Sequence, residues 1–254
     1  MKKLIAANWK MNKTVAESVS LAKELKKMLK GINIAEIAAC PAFTALQAVS
    51  KELKNSNIKL GAQNMYFEDS GAFTGEISPS ILKDLGCEYI ILGHSERREF
   101  FKEDDLLINK KIIAALRHSL KPILCVGETL GQRQNNKARE VIDKQLRNCL
   151  LEIKTTEMKN VCIAYEPIWA ISRGNPNQKA ATPKDAEECH QFIRDVLEIM
   201  FDEKTAKNTR IIYGGSMKPE NAKELLSTKG IDGGLVGNAS LSAKSFAEVV
   251  KAAE

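Results

Sequence analysis

The chain lacks any uninterrupted apolar stretch near the ~18 residues that a bilayer-spanning helix needs, although 44% of its residues are hydrophobic. Its N-terminus opens Met1-Lys2-Lys3, but only the four apolar residues Leu4 to Ala7 follow before Asn8 and Lys10 interrupt them, so no signal peptide is expected. It lacks a C-x-x-C pair as well. The six cysteines (Cys40, Cys87, Cys125, Cys149, Cys162, Cys189) are widely spread, and Cys40, Cys125 and Cys162 sit inside apolar runs. That pattern reads as small core residues in a reducing compartment, not as disulfides or a zinc site. The three histidines (His94, His118, His190) are too scattered for a local metal motif. Missing too are the G-x-G-x-x-G turn of a dinucleotide-binding sheet, a Pro/Gly/Ser-rich linker, and any block of like charge suited to a nucleic-acid arm. These absences leave a cytoplasmic globular protein with no membrane or nucleic-acid partner expected. The net charge of +6 would favour a small anionic ligand, but a solvated surface is the better reading of it.

What is present is an alternation of strand and helix patterns over all 254 residues. Apolar runs predict strands at Leu4–Asn8, Ile34–Cys40, Ile58–Gln63, Tyr89–Gly93, Pro122–Gly127, Val161–Tyr165, Arg210–Gly214 and Gly233–Gly237. Most are continuous rather than alternating, as in a parallel sheet covered on both faces. Between them, Val15, Val19, Ala22, Leu25 and Leu29 recur at helical spacing behind a Thr14/Glu17 capping box. Leu106, Ile108, Ile112, Ile113 and Leu116 mark a second helix. Thr182-Pro183-Lys184-Asp185 is a helix start, continued by Phe192, Val196 and Ile199. Helices are expected again at Lys218–Leu226 and Leu241–Ala252. Eight strands, most followed by a helix, in about 250 residues predict an α/β fold, a (β/α)8 barrel forming one domain over residues 1–254.

In a (β/α)8 barrel the chemistry lies at the C-terminal ends of the strands. Those ends read Asn8-Trp9-Lys10, Gln63-Asn64, Gly93-His94-Ser95-Glu96-Arg97-Arg98, Gly127-Glu128, Glu166, Gly214-Gly215-Ser216 and Gly237-Asn238-Ala239-Ser240. Glycines after strands seven and eight let backbone N–H groups approach an anion, which makes them a candidate phosphate site. Glu166 closes strand six, is followed by Pro167, and precedes a polar loop from Ser172 to Thr182. A carboxylate on a strand tip beside a long loop suits a general base under a movable cover. Each residue has a plainer reading: a solvated glutamate, a surface lysine, a core histidine, a turn held by ion pairs.

Taken together, the strings Ala7-Asn8-Trp9-Lys10-Met11-Asn12, Ala62-Gln63-Asn64, Gly71-Ala72-Phe73-Thr74-Gly75-Glu76, Gly93-His94-Ser95-Glu96-Arg97-Arg98, Cys125-Val126-Gly127-Glu128, Ala164-Tyr165-Glu166-Pro167-Ile168-Trp169-Ala170-Ile171, Tyr213-Gly214-Gly215-Ser216 and Leu235-Val236-Gly237 resemble the triosephosphate isomerase family over essentially the whole chain. The resemblance implies a TIM barrel that interconverts dihydroxyacetone phosphate and D-glyceraldehyde 3-phosphate, in glycolysis and gluconeogenesis, with neither cofactor nor metal. It implies Glu166 as base, His94 as neutral electrophile and Lys10 as fixed cation, a division of labour for which this family is itself a standard illustration. Asn8, Ser172, Ser216, Gly237 and Asn238 match substrate contacts, and the loop after Trp169 matches a closing lid held by Tyr213 and Ser216. The family is typically a homodimer. Residues Gln63–Ser78 match its interdigitating loop, with Thr74 reaching toward the neighbouring site and Glu76 pairing with Arg97 across the interface.

Two departures from the family pattern stand out. The lid runs Ile171-Ser172-Arg173-Gly174-Asn175-Pro176-Asn177-Gln178-Lys179-Ala180-Ala181, about four residues longer than the usual Ile-Gly-Thr-Gly-Lys pattern. Asn238 replaces a glycine, and is expected to tolerate left-handed geometry there. Two other functions compete with the isomerase reading. One is a TIM-barrel aldolase or lyase of phosphorylated small molecules, for which Lys10 rather than a strand-six lysine would have to serve. The other is a non-catalytic interaction protein, which the presence of Glu166, His94 and Lys10 disfavours.

Overall fold

The computed structural model describes residues 1–171 and 181–254. Among the described residues, eight parallel strands form a closed barrel: β1 (Lys3–Asn8), β2 (Ala35–Cys40), β3 (Ile58–Ala62), β4 (Cys87–Leu92), β5 (Lys121–Val126), β6 (Cys162–Tyr165), β7 (Arg210–Tyr213) and β8 (Gly233–Val236). Sequential neighbours pair throughout, and β8 returns to β1 through Leu4–Gly233 to Ala7–Val236. The barrel is the predicted one, and every predicted strand is present.

The continuous apolar runs have a direct cause. Alternate residues of each strand point to opposite faces, and here both faces are buried. Leu4, Ala6, Ala38, Cys40, Tyr89, Ile91, Ile123, Cys125, Cys162, Ala164, Ile212 and Leu235 fill the barrel interior. Their neighbours, such as Ile5, Ala7, Ile37 and Ala39, pack outward under the helices. The three cysteines expected in the core are in this interior, and burial pushes the Cys40, Cys125 and Cys162 thiols well up. All six cysteines are free.

Ion pairs close the barrel at the N-terminal ends of its strands. Arg210 Nη2 lies 2.7 Å from Glu36, its Nη1 donates to the Tyr89 hydroxyl at 3.2 Å, and Lys121 stands 3.7 Å from the same glutamate. The opposite end carries the long loops and the remaining polar strand tips.

The helices start where the sequence signals place them. Thr14 and Glu17 form a capping box ahead of the helix Val15–Met28, and Thr182 and Asp185 form another ahead of Pro183–Met200. Four expected apolar positions, Val15, Leu106, Ile113 and Ile199, face water instead. Val15 is exposed, with Ser18 buried on that helix in its place. Ile199 is 73% exposed, because the buried stripe of its helix ends at Leu197. Among the described residues no helix is long and apolar enough to cross a membrane.

One buried group of the scaffold titrates abnormally. His190, on the helix Pro183–Met200, is fully buried, with its Nδ1 3.0 Å from the Gly230 carbonyl and its ring edge-on to Tyr165 at 5.9 Å. Its Nε2 has no partner. Burial, aided by the charge of Arg194, pulls its pKa from 6.5 down to about 4. The unfolded chain therefore binds this proton more readily, and stability falls as pH drops from the unfolded pKa toward the folded one. His190 alone is expected to remove about 2 kcal/mol between pH 7 and 5. Urea unfolding at fixed protein concentration should show a shallower acid loss in His190→Gln; an identical pH slope would exclude this role.

Candidate active site

Glu166 follows the last residue of β6 at the C-terminal end of the barrel. Its N–H donates to the Val126 carbonyl of β5 at 2.7 Å, and Gly214 N–H donates to Tyr165 O at 2.7 Å. Glycines on both flanking strand ends make room for it. A Cβ on Gly127 would overlap the Glu166 carbonyl, and a Cβ on Gly214 would stand 2.8 Å from Glu166 Cγ. The Gln145 amide grips the Gly127 peptide from behind, accepting its N–H at 2.8 Å and donating to its carbonyl at 3.2 Å.

The Glu166 side chain is 2% exposed. Its Oε2 accepts the Ser95 N–H at 2.8 Å. His94 Nε2 lies 2.9 Å from Oε1, and among the described residues no other group reaches that oxygen. Burial alone would raise this carboxyl's pKa. The imidazole, the Ser95 N–H and the charge of Lys10 outweigh it and hold the group below the ordinary carboxylate range. The base is thus ionised at neutral pH, with one oxygen open.

His94 caps the short helix Ser95–Phe100, and its Nδ1 accepts the Glu96 N–H at 3.2 Å. A ring nitrogen that accepts a backbone N–H carries no proton, so the neutral ring's proton sits on Nε2, the atom facing Glu166. That nitrogen is the donor the site offers.

Lys10 adopts φ 53, a left-handed backbone that costs a non-glycine residue about 1–2 kcal/mol. Two contacts hold it there: Asn8 Oδ1 accepts the Lys10 N–H at 3.1 Å, and Gln63 Nε2 donates to the Lys10 carbonyl at 2.9 Å. The ammonium spans the mouth to Glu96 Oε1 at 2.7 Å. Asn8 itself is buried.

These groups line one cavity of about 390 Å³, which gathers Asn8, Lys10, His94, Glu166, Ser216, Gly237 and Asn238. Asn238 opens a 3-10 turn, Asn238–Leu241, and does not take the positive φ that its glycine-like position suggested. The tolerance of asparagine for left-handed geometry is therefore not called on here. Ser172 and the lid tip at 175–178 lie outside the described residues. Thr74 and Glu76 are exposed on their loop and do not line the cavity. Arg97 pairs with Glu103 at 2.6 Å, and Glu103 in turn holds the buried Lys111 at 2.6 Å.

Sequence reasoning missed the supports behind the site. Glu128, noted only as a strand end, is fully buried, and its Oε1 accepts from Trp169 Nε1 at 2.7 Å and from the Tyr165 hydroxyl at 3.1 Å. Arg133 reaches the same oxygen at 3.4 Å, covers the Trp169 ring at 4.5 Å and pairs with Asp185. Neither Arg133 nor Gln145 carries a local signal, since each acts across the fold from the middle of a helix or turn.

A buried ionised base with an open oxygen, an N–H donor beside it and a cation in a small polar cavity can move a proton next to a carbonyl of a small anion. The family model for triosephosphate isomerase matches residues 3–253. The chain is 52% identical to the triosephosphate isomerase of Endomicrobium trichonymphae over 250 residues, 98% of each chain. It is 50% identical to that of Chloroherpeton thalassium, over 100% of this chain and 99% of the other. Its fold resembles the crystal structure of triosephosphate isomerase from Bartonella henselae with a TM-score of 0.89, at 38% identity and 99% coverage of both chains.

The glycine beside the base is testable on its own. Gly214→Ala is expected to fold while forcing Glu166 Cγ off its position, loosening the bond to Ser95. The carboxyl pKa, followed by NMR on labelled glutamate, should then rise toward the ordinary range. An unmoved titration would mean that the close approach is not what holds the carboxylate.

Proposed function

The chain belongs to the triosephosphate isomerase family, and we propose that Glu166, His94 and Lys10 carry out its reaction as base, electrophile and fixed cation. That reaction is the interconversion of dihydroxyacetone phosphate and D-glyceraldehyde 3-phosphate, a step of glycolysis and gluconeogenesis. The observation that carries the assignment is the open Oε1 of Glu166, buried 2.9 Å from His94 Nε2 in the cavity it shares with Lys10.

Glu166 Oε1 takes the proton from the carbon beside the carbonyl, and the C–H electron pair moves into the new carbon–carbon double bond. The carbonyl oxygen gains the charge and is met by His94 Nε2–H. Lys10 stabilises the enediolate as charge develops, exchanging its pairing with Glu96 for the substrate. His94 gives its Nε2 proton to the former carbonyl oxygen and takes back the proton of the neighbouring hydroxyl, and return of the carbon-bound proton from Glu166 to the adjacent carbon completes the isomerisation. Every step is a proton transfer, so neither redox chemistry nor a cofactor is required. The phosphate is assigned to the turns at Ser216 and Gly237–Asn238, whose backbone and small side chains line the far end of the cavity. The matched lid contact, Ser172, belongs to the same proposal. The aldolase or lyase alternative has no support of its own, since β6 leads into a glutamate instead of a lysine.

The homodimer and the cytoplasm are also proposed. Dimerisation is supported by apolar side chains left in water: Met11 is 97% exposed and Phe73 42%. The segment Gln63–Ser78 that holds Thr74 and Glu76 carries Tyr66 in tilted ring contact with Phe67 and Phe73, with centroids 4.3 and 4.7 Å away. The free, buried thiols fit a reducing compartment.

A coupled assay from glyceraldehyde 3-phosphate decides the base. Glu166→Gln is expected to lower kcat by about 10²–10⁴-fold while KM moves little and the protein stays folded; turnover near wild type would remove Glu166 from the role. Light scattering after gel filtration is expected to give twice the chain mass of 28.1 kDa. A monomer that is fully active would end the dimer proposal.

A further inference from the structure

Away from the barrel mouth, the fold brings Lys54 against a lysine-rich helix end and so assembles a cationic recess. The helix Val15–Met28 contributes Lys23, Lys26 and Lys27, the turn after it adds Lys30, and the end of the helix Leu46–Leu53 adds Lys54. They surround a cavity of about 550 Å³ whose lining contains no carboxylate, no arginine and no apolar side chain larger than glycine. The two helices end here, just before β2 and β3 begin, so the recess lies at the barrel end opposite Glu166.

Its floor is fixed. Lys26 Nζ donates to the Glu52 and Lys54 carbonyls at 2.9 and 3.0 Å. Asn57 Nδ2 donates to the Leu29 and Ile32 carbonyls at 2.9 and 2.7 Å, tying the two helix ends together. A Cβ on Gly31 would meet nothing within 4 Å, so the recess is open to an occupant.

Its rim is unbalanced. Among the described residues none of the five ammonium groups has a carboxylate partner. Lys23 and Lys27 are like charges at i,i+4 on the helix, an unfavourable pair. The negative end of the helix dipole offsets part of that. The formal excess of the whole chain is +6, and this one concavity gathers five unpaired lysines. A concave wall of one sign focuses the field on an anion.

The lining chemistry narrows the anion. Lysines act as point charges without the planar fork that arginine offers to one phosphate at a time. No aromatic ring is present to stack a base, and no apolar side chain to enter a lipid layer. We propose that the recess is a second anion site, separate from the catalytic cavity, which takes a compact oligophosphate of three or more linked phosphoryl groups. Free inorganic oligophosphate and the tail of a nucleoside triphosphate share that chemistry; without a surface for the base, the inorganic form is expected to bind at least as tightly.

The test is calorimetric titration of the intact protein with inorganic tripolyphosphate at low ionic strength, with triose phosphate saturating the mouth. One site per chain is expected, weakened tenfold or more by about 0.15 M salt, as screened lysine contacts require. The variant Lys23→Gln, Lys27→Gln, Lys30→Gln, Lys54→Gln, with Lys26 kept as the helix tie, should lose that site and keep wild-type kcat and KM. Adenosine triphosphate in the same titration should bind no tighter. On the wild-type protein, tripolyphosphate should also shield Lys23, Lys27, Lys30 and Lys54 from acetylation, a reading that does not depend on the variant folding. Unchanged binding in the variant, loss of binding when triose phosphate fills the mouth, or no shielding would overturn the proposal. So would lysine-dependent binding of single-stranded RNA or phosphatidylserine vesicles without tripolyphosphate binding.

Discussion

The structure depends on keeping the Glu166 carboxylate charged while it is buried. Removing an ion from water costs roughly several kcal/mol even after relaxation, unless donors replace the lost hydration. The replacement here is the Ser95 N–H at 2.8 Å and the nearby imidazole and ammonium, and the net result is a carboxyl held below its usual range. Only one oxygen is satisfied in this way. The other is left open, so the arrangement keeps the group ionised and still reactive. Much of the neighbouring sequence follows from that requirement. Two glycines clear space on either side, Gln145 holds one of those peptides, and His94 must present an N–H rather than a lone pair.

The two ends of the barrel are held by different means. At the N-terminal end, Arg210, Glu36, Tyr89 and Lys121 form a network that ties the strands together. At the other end, Lys10 is kept in a left-handed conformation by Asn8 and Gln63, and its charge is pointed across the mouth to Glu96. Strain of this kind persists only where neighbouring contacts over-determine it. Lys10 is therefore a prepared cation, parked on Glu96 and available to an anion that enters between them.

Much of this was legible in the sequence, and the misses have physical causes. The strands were visible because both of their faces are apolar. Their starts were read late where the barrel's lower rim is polar: β4 begins at Cys87, but Glu88, paired with Lys59 at 2.8 Å, breaks the apolar run before Tyr89. Lys3 and Lys121 hide the starts of β1 and β5 in the same way. The residues around the mouth were legible because the fold rule points to strand ends, and the family resemblance added roles that residue type alone could not give. Gln145, Arg133 and the joining of Lys54 to the lysine-rich run Lys23–Lys30 were not legible, since each arises from segments brought together only by folding. Lys54, for instance, is 24 positions beyond Lys30 in the chain and shares a cavity with it.

The segment 172–180, whose sequence matches the family's lid, is anchored at both ends. On one side Trp169 is bonded to Glu128 and covered by Arg133; on the other Asp185 pairs with Arg133 and closes the capping box with Thr182. One guanidinium therefore fixes both the point where the segment leaves β6 and the point where it enters the following helix. Ser216 N–H adds a bond to the Ala170 carbonyl at 3.3 Å, joining the departure point to the turn after β7. With the ends fixed, the closure entropy of the connecting chain grows only logarithmically, by about 0.6 kcal/mol per doubling of length. An extension of about four residues at the tip costs a fraction of that. The geometry at Glu166 is set by the anchors and the flanking glycines, all of which lie outside the segment 172–180.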